Sequence, residues 1–188
     1  MGAGKTTYAR ALACDYQVRL IDADFEAKRM MNNDSEIKSK IRGCFGNQVF
    51  VNDSINYQEL GRTAFSSIEK IKLLNGIVHP PLLKRIYGLL NEDCAELKLV
   101  DAALIPLWNI EKWFNILLWI NASFETRFQR IKQKNTLGDE ELKHRMYLQQ
   151  QLFNPPDPSL WIYVENRGGS MEIGESLEFV KRKINLIF

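Results

Sequence analysis

Six residues at the start of the chain, Gly2-Ala3-Gly4-Lys5-Thr6-Thr7, restrict its fold more than any other feature. They form the second half of the pattern G-x-x-x-x-G-K-[ST]. Glycines let backbone N–H groups approach phosphate oxygens without a Cβ in the way. The helix that follows turns its positive N-terminal end toward the same anion. Such a loop is normally fed by a buried strand and leads into a helix beside a parallel sheet. Lys5 is expected to reach the β- and γ-phosphates, and the Thr6 hydroxyl to bind Mg²⁺. Thr7 is either a plain helix residue or a further phosphate contact.

The first glycine of the pattern would fall about two residues before Met1, and its strand before that. Two readings follow: a start codon upstream of Met1, or a product that lacks its central strand. The second would strip the sheet of the strand beside the nucleotide and leave the loop without an anchor. The expectation is therefore an upstream, in-frame apolar strand ending in glycine.

The rest of the chain alternates short β-rich runs with longer helical patterns, the signature of a parallel sheet flanked by helices. Strands are predicted at residues 18–21, 97–102, 116–120 and 161–164. Their near-continuous apolar character suits strands buried on both faces. Helices are predicted at 5–14, 25–31, 35–44, 67–75, 81–91, 124–134, 140–152 and 172–187. Residues 32–91 carry helical patterns only and read as a helical subdomain. Residues 135–154 are polar and helical and suit a mobile lid. Asn154-Pro155-Pro156-Asp157-Pro158 cannot continue a helix, since proline lacks the N–H and restricts the residue before it. The core would then comprise residues 1–31, 92–134 and 155–188 of one α/β domain, a P-loop NTPase-type three-layer sandwich.

Composition narrows the partners. The 188 residues suffice for a real core. Lys+Arg number 25 and Asp+Glu 23, a net charge of +2, which speaks against a dedicated nucleic-acid binder. A small anionic ligand needs only a local cluster and stays open. Cys14, Cys44 and Cys94 are scattered, as in a reducing cytosol. His79 and His144 are the sole histidines, too few for a multi-histidine metal site. The longest apolar runs, such as Ile116-Leu117-Leu118-Trp119-Ile120, are too short to span a bilayer, and no signal peptide is visible. A soluble, cytoplasmic protein without membrane or nucleic-acid partners is expected.

Carboxylates supply the remaining chemistry. Alternate residues of an extended segment share a side, so Asp22 and Asp24 are both expected at the C-terminal end of the first predicted strand. A carboxylate there can accept a hydroxyl proton or hold Mg²⁺ through water. Equally, one of the two could cap the helix starting at Phe25. Asp24 is the expected base and Asp22 its helper. Asp101 ends the 97–102 strand, either as a water-mediated Mg²⁺ contact or as a strand-end polar residue.

The order of phosphate loop, Asp22-Ala23-Asp24 with Ala27-Lys28, Ile77-Val78-His79-Pro80, a basic lid and Tyr163-Val164-Glu165-Asn166-Arg167-Gly168 resembles the dephospho-CoA kinase family over nearly the whole chain. The resemblance implies transfer of the γ-phosphate of ATP to the ribose 3′-hydroxyl of dephospho-CoA, the last step of coenzyme A synthesis, with Mg²⁺ as cofactor. It implies that Gly2 to Thr7 bind the ATP phosphates, that Asn166 and Gly168 lie against the adenine, and that Asp24 is the catalytic base. Lys28 stands where the family usually has arginine, which keeps the charge and loses bidentate geometry. His79 and Pro80 would belong to the acceptor-binding subdomain, although Pro80-Pro81 also makes His79 a natural helix-boundary residue. Arg130 matches a cationic position before the lid, and Arg145 and Gln149 match lid-helix positions. Arg130, Lys134 and Arg145 would neutralise charge on the transferred phosphoryl group.

Departures are specific. Lys134-Asn135 replaces an Arg-Asp pair. Ala103-Leu104-Ile105-Pro106-Leu107 lacks the glutamate that many members carry, so Asp101 is the acidic group there. Phe25, Tyr57, Phe65 and Tyr87 could stack on the acceptor or simply pack in the core. Another small-molecule kinase and a non-catalytic nucleotide- or CoA-binding remnant are the rival readings.

Overall fold

The computed structural model describes residues 1–92, 97–134, 137–152, 154–167 and 170–185, with backbone alone at 170–173. In chain order the elements are α1 (Lys5–Asp15), β1 (Arg19–Asp22), α2 (Ala23–Asn33), α3 (Ser35–Phe45), β2 (Phe50–Val51), β3 (Ser54–Ile55), α4 (Tyr57–Ala64), α5 (Ile68–Asn91), β4 (Lys98–Asp101), α6 (Ile105–Trp108), β5 (Leu118–Asn121), α7 (Phe124–Lys132), α8 (Asp139–Gln150), β6 (Ile162–Glu165) and α9 (Ser170–Asn185). They divide into two compact units, Met1–Val18 with Ala103–Phe188, and Arg19–Ala102.

In the second unit β1 runs parallel to β4, with Asp22 opposite Asp101 at their C-terminal ends. Among the described residues four α-helices lie between them in sequence, each started by a polar cap. Asp22 accepts from Phe25 N, Asp34 from Glu36 N and Ile37 N, Asn56 from Glu59 N, and Ser67 from Lys70 N. These caps satisfy amides that have no partner inside the helix. The helices close on Ile37, Ile41, Phe45, Val49, Leu60, Ala64 and Val78, of which Ile41, Val49 and Ala64 are completely buried. A short antiparallel hairpin, β2–β3, interrupts this helical stretch. Its turn residues Asn52 and Asp53 both have positive φ, as a two-residue turn matching strand twist requires. Arg42 holds it, 2.6 Å from Asp53 and stacked 4.2 Å from the Phe50 ring centroid.

The first unit pairs β5 with β6 in parallel, from Leu118 opposite Ile162 to Asn121 opposite Glu165. Trp119 packs edge-on against Trp161 at 6.0 Å. Helices α1 and α9 are tied by Lys181, which reaches Asp15 at 2.9 Å, and by the Tyr16 hydroxyl on Asn185 at 3.0 Å. Helix α7 is tied to α8 by Lys132–Asp139 at 2.7 Å, over a buried cluster of Phe128, Leu142 and Met146.

Three expectations need correction. The strands are not buried on both faces: most β1, β4 and β5 positions are half-buried or exposed. Among the described residues each of these strands is paired along one edge, so its flanks stay partly open. The helices predicted at 67–75 and 81–91 are one 24-residue helix, α5, running through Pro80 and Pro81. Val78, Leu82, Ile86 and Leu89 recur along its buried face on both sides of the prolines. Burial of that continuous stripe outweighs two lost main-chain bonds. Helix α2 starts at Ala23, two residues earlier than predicted. Among the described residues no helix is long and apolar enough to cross a membrane.

Candidate functional site

The glycine-rich loop Gly2–Thr7 occupies the start of the first unit. Gly4 is the N-cap of α1 with φ 93°, in left-handed space that costs an L-residue strain. Its carbonyl accepts from Thr7 N at 2.9 Å and Tyr8 N at 3.2 Å, which starts the helix. A Cβ on Gly4 would lie 2.2 Å from Asn166 Nδ2, and one on Gly2 (φ 74°) would lie 2.7 Å from the Arg127 carbonyl oxygen. Both glycines are therefore fixed by conformation and by close approach. Ala3, Lys5 and Thr6 are half-buried, and Thr7 is exposed. Lys5 and Thr6 stand in the first turn of α1, whose amide ends carry the positive end of the dipole.

Two side chains from distant sequence meet the loop. Arg130 on α7 donates through NH1 to the Gly2 carbonyl (3.3 Å) and the Ala3 carbonyl (3.4 Å), and through NH2 to Asn166 Oδ1 (3.1 Å). Asn166, just after β6 and only 3% exposed, donates Nδ2 to the Ala3 carbonyl at 2.8 Å. Sequence reasoning named both residues but gave them contacts with adenine and phosphoryl groups. Nothing local signals a contact with loop carbonyls across more than a hundred residues. Arg145 on α8 is mostly buried and pairs with Glu141 one turn earlier at 2.6 Å. Gln149 Oε1 accepts from the Met1 amino group at 3.0 Å. Gly168 and Asn135 lie outside the described residues.

The carboxylates belong to the second unit. Asp22 is half-buried, ends β1 and caps α2, its Oδ1 accepting from Phe25 N at 3.0 Å. Asp24 is exposed in the first turn of α2, so the extended segment expected to carry both aspartates stops at Asp22. Asp24 shares a helix face with Lys28 instead, one turn on. Lys28 Nζ lies 5.8 Å from the Tyr57 ring centroid, and the Tyr57 hydroxyl donates to the Lys28 carbonyl (3.1 Å) and to Asn32 Oδ1 (2.9 Å). Burial raises the Tyr57 phenol above its ordinary pKa. Asp101 is buried, 3% exposed, at the end of β4 and level with Asp22.

His79 is no boundary residue: it sits inside α5, immediately before Pro80. Burial pushes its pKa down to about 4, so the imidazole is neutral at physiological pH. Phe25 and Tyr87 are 62% and 53% exposed, so core packing does not explain either. Phe65 is half-buried at the end of α4.

The sequence reading missed Glu26, a nearly buried carboxylate held by Arg85 at 3.1 Å. It borders an open cavity of about 560 Å³ with Arg29, Met30, Asp34 and Arg85. That cavity lies on the opposite face of α2 from Asp24 and Lys28. No sequence signal pairs residues 26 and 85.

Among the described residues no group of three His, Cys, Asp or Glu is arranged to hold a metal by itself. A pair of oxygen donors at adjacent strand ends, Asp22 and Asp101, does fit a hard cation that keeps most of its waters and takes phosphate oxygens.

Comparison with known proteins adds the following. A family model described as dephospho-CoA kinase matches residues 1–154. A dephospho-CoA kinase of Corynebacterium glutamicum is 25% identical over 150 residues, 78% of this chain and 76% of that protein. The Saccharomyces cerevisiae dephospho-CoA kinase CAB5 is 24% identical over 189 residues, 96% of this chain and 78% of that protein. In fold, the chain resembles a crystal structure of TT1252 from Thermus thermophilus, with TM-score 0.68, 22% identity and coverage of 97% and 93%. It also resembles a dephospho-CoA kinase from Campylobacter jejuni, with TM-score 0.55, 18% identity and coverage of 98% and 92%.

Proposed function

Because the chain belongs to the dephospho-CoA kinase family, we infer that it transfers the γ-phosphate of ATP to the ribose 3′-hydroxyl of dephospho-CoA, giving coenzyme A and ADP. The observation that carries this is the Gly-x-Gly-Lys-Thr loop, with left-handed Gly4 as the N-cap that opens α1 and a helix N-terminus that favours an anion. The finer architecture in this reading is a three-layer sandwich. Residues 32–91 receive the acceptor and residues 135–154 act as lid. Its place of action is the cytoplasm.

Roles follow from chemistry. Gly2, Ala3, Gly4, Lys5, Thr6 and Thr7 bind the ATP phosphates, and Asn166 and Gly168 complete the nucleotide site. Asp24, exposed at the start of α2, takes the proton of the 3′-hydroxyl as its oxygen forms a bond to the γ-phosphorus. The bond from that phosphorus to the bridging oxygen breaks, and ADP leaves. Lys5, Arg130 and Arg145 supply positive charge against the charge that spreads over the transferred group. Mg²⁺ would be held by Thr6, Asp22 and Asp101 and would neutralise phosphate charge. Lys28, His79 and Pro80 contribute to the acceptor site, with Asp22 as helper. A neutral His79 offers the acceptor a hydrogen bond without a charge.

Release of ADP should be measured with dephospho-CoA, adenosine, AMP and no acceptor. Fast release confined to dephospho-CoA is expected. Equal rates with another acceptor would replace the substrate assignment. No release with any acceptor would leave a binding protein.

A further inference from the structure

We propose that Asn166 and Arg130 are positioning residues, which lock the carbonyls of Gly2 and Ala3 so that the loop's amides are aimed before phosphate arrives. The proposal rests on the ATP-binding reading above and assigns these two side chains a different contact. Within one planar peptide the C=O and the following N–H point in opposite directions. Arg130 pins the Gly2 carbonyl at 3.3 Å, so the Ala3 N–H is turned away from the guanidinium. Arg130 and Asn166 together pin the Ala3 carbonyl, at 3.4 and 2.8 Å, so the Gly4 N–H is turned away likewise.

The two side chains form one device. An asparagine amide has a donor end and an acceptor end. Arg130 NH2 occupies Oδ1 at 3.1 Å, which leaves Nδ2 for the Ala3 carbonyl. The missing Cβ of Gly4 gives Asn166 its room. Asn166 is buried, so a lost partner is not replaced by water at no cost. Amides held in place do not have to be reorganised when the anion binds, which is where preorganised groups gain affinity.

The test measures binding of inorganic tripolyphosphate, which has neither adenine nor ribose, beside binding of ATP. The proteins are the unaltered chain, Asn166→Ala, Asn166→Asp, Arg130→Met and the Asn166→Ala/Arg130→Met double variant. Asn166→Asp keeps the size of the side chain and a partner for Arg130 but loses the donor. Both Asn166 variants should weaken tripolyphosphate and ATP by the same factor, about tenfold to a hundredfold. The double variant should lose much less than the product of the single losses. Losing ATP while keeping tripolyphosphate would make Asn166 an adenine contact and overturn the proposal. So would independent, multiplying losses, or a melting profile showing that Asn166→Asp does not fold. None of these readouts involves an acceptor. A chain that phosphorylated adenosine in preference to dephospho-CoA would sink the functional reading and leave the loop device standing.

Discussion

Asp22 caps a helix and also stands level with a second carboxylate, and two substitutions separate the cap from the charge. Its Oδ1 caps α2 by accepting from Phe25 N at 3.0 Å, and its charge stands level with Asp101 at the strand ends. Asn caps a helix about as well as Asp, so Asp22→Asn should keep the bond and change stability by no more than about 0.5 kcal/mol. Asp22→Ala removes the cap and should cost about 1 kcal/mol, or roughly 2–4 °C in Tm for a chain of this size. Both remove the carboxylate. If it holds Mg²⁺ beside the phosphates, both should lower turnover about a hundredfold, equivalent to losing about 3 kcal/mol of charge stabilisation. Thermal melts and initial rates of ADP formation at several Mg²⁺ concentrations measure the two effects. Asp22→Asn with normal turnover would refute the metal role. Asp22→Asn melting as low as Asp22→Ala would refute the capping argument.

Lys5→Ala and Asp24→Asn should each reduce kcat at least about a hundredfold in the same assay, with little change in Tm. A near-normal rate in Asp24→Asn would remove Asp24 as the base. Gly4→Ala should weaken ATP binding, because φ 93° and a Cβ 2.2 Å from Asn166 Nδ2 force the loop or Asn166 to move. Normal ATP affinity in a calorimetric titration would contradict that. His79 has its folded pKa lowered to about 4 by burial. Its contribution to stability is constant above pH 6.5 and falls as pH drops from 6.5 toward 4, where the unfolded chain binds a proton that the folded one refuses. Discounted for partial solvent screening, this amounts to about 1–2 kcal/mol. His79→Gln should flatten that part of the pH–stability curve, and an unchanged slope would count against a half-buried neutral imidazole. Ile86→Ala, at a completely buried position on α5, should cost about 2–5 kcal/mol in denaturant unfolding.

The left-handed glycines and helix start at Gly2–Thr7 were legible because their geometry is local, set by backbone directions within one turn. The family was legible for a related reason, since Asp22-Ala23-Asp24 and His79-Pro80 are compact motifs. What escaped was set at long range or by burial. Alternation placed Asp24 on a strand, but the Asp22 cap begins the helix at Ala23, and a cap and a strand residue have the same letter. Proline rules split α5 at Pro80, yet an apolar stripe from Val78 to Leu89 continued through it. The pairing of Glu26 with Arg85, and of Arg130 and Asn166 with the loop carbonyls, depends on elements far apart in sequence. Composition and spacing carry no trace of such meetings.

The prolines inside α5 have a mechanical consequence. Residues 80 and 81 carry no amide hydrogen, so the carbonyls of Gly76 and Ile77 receive nothing from the position four residues on. Gly76 and Pro80 also face solvent. The rod is thus already unstitched on one short arc. Flexing there breaks none of the rungs that keep its two ends rigid, and it is next to His79 that such flexing would be felt.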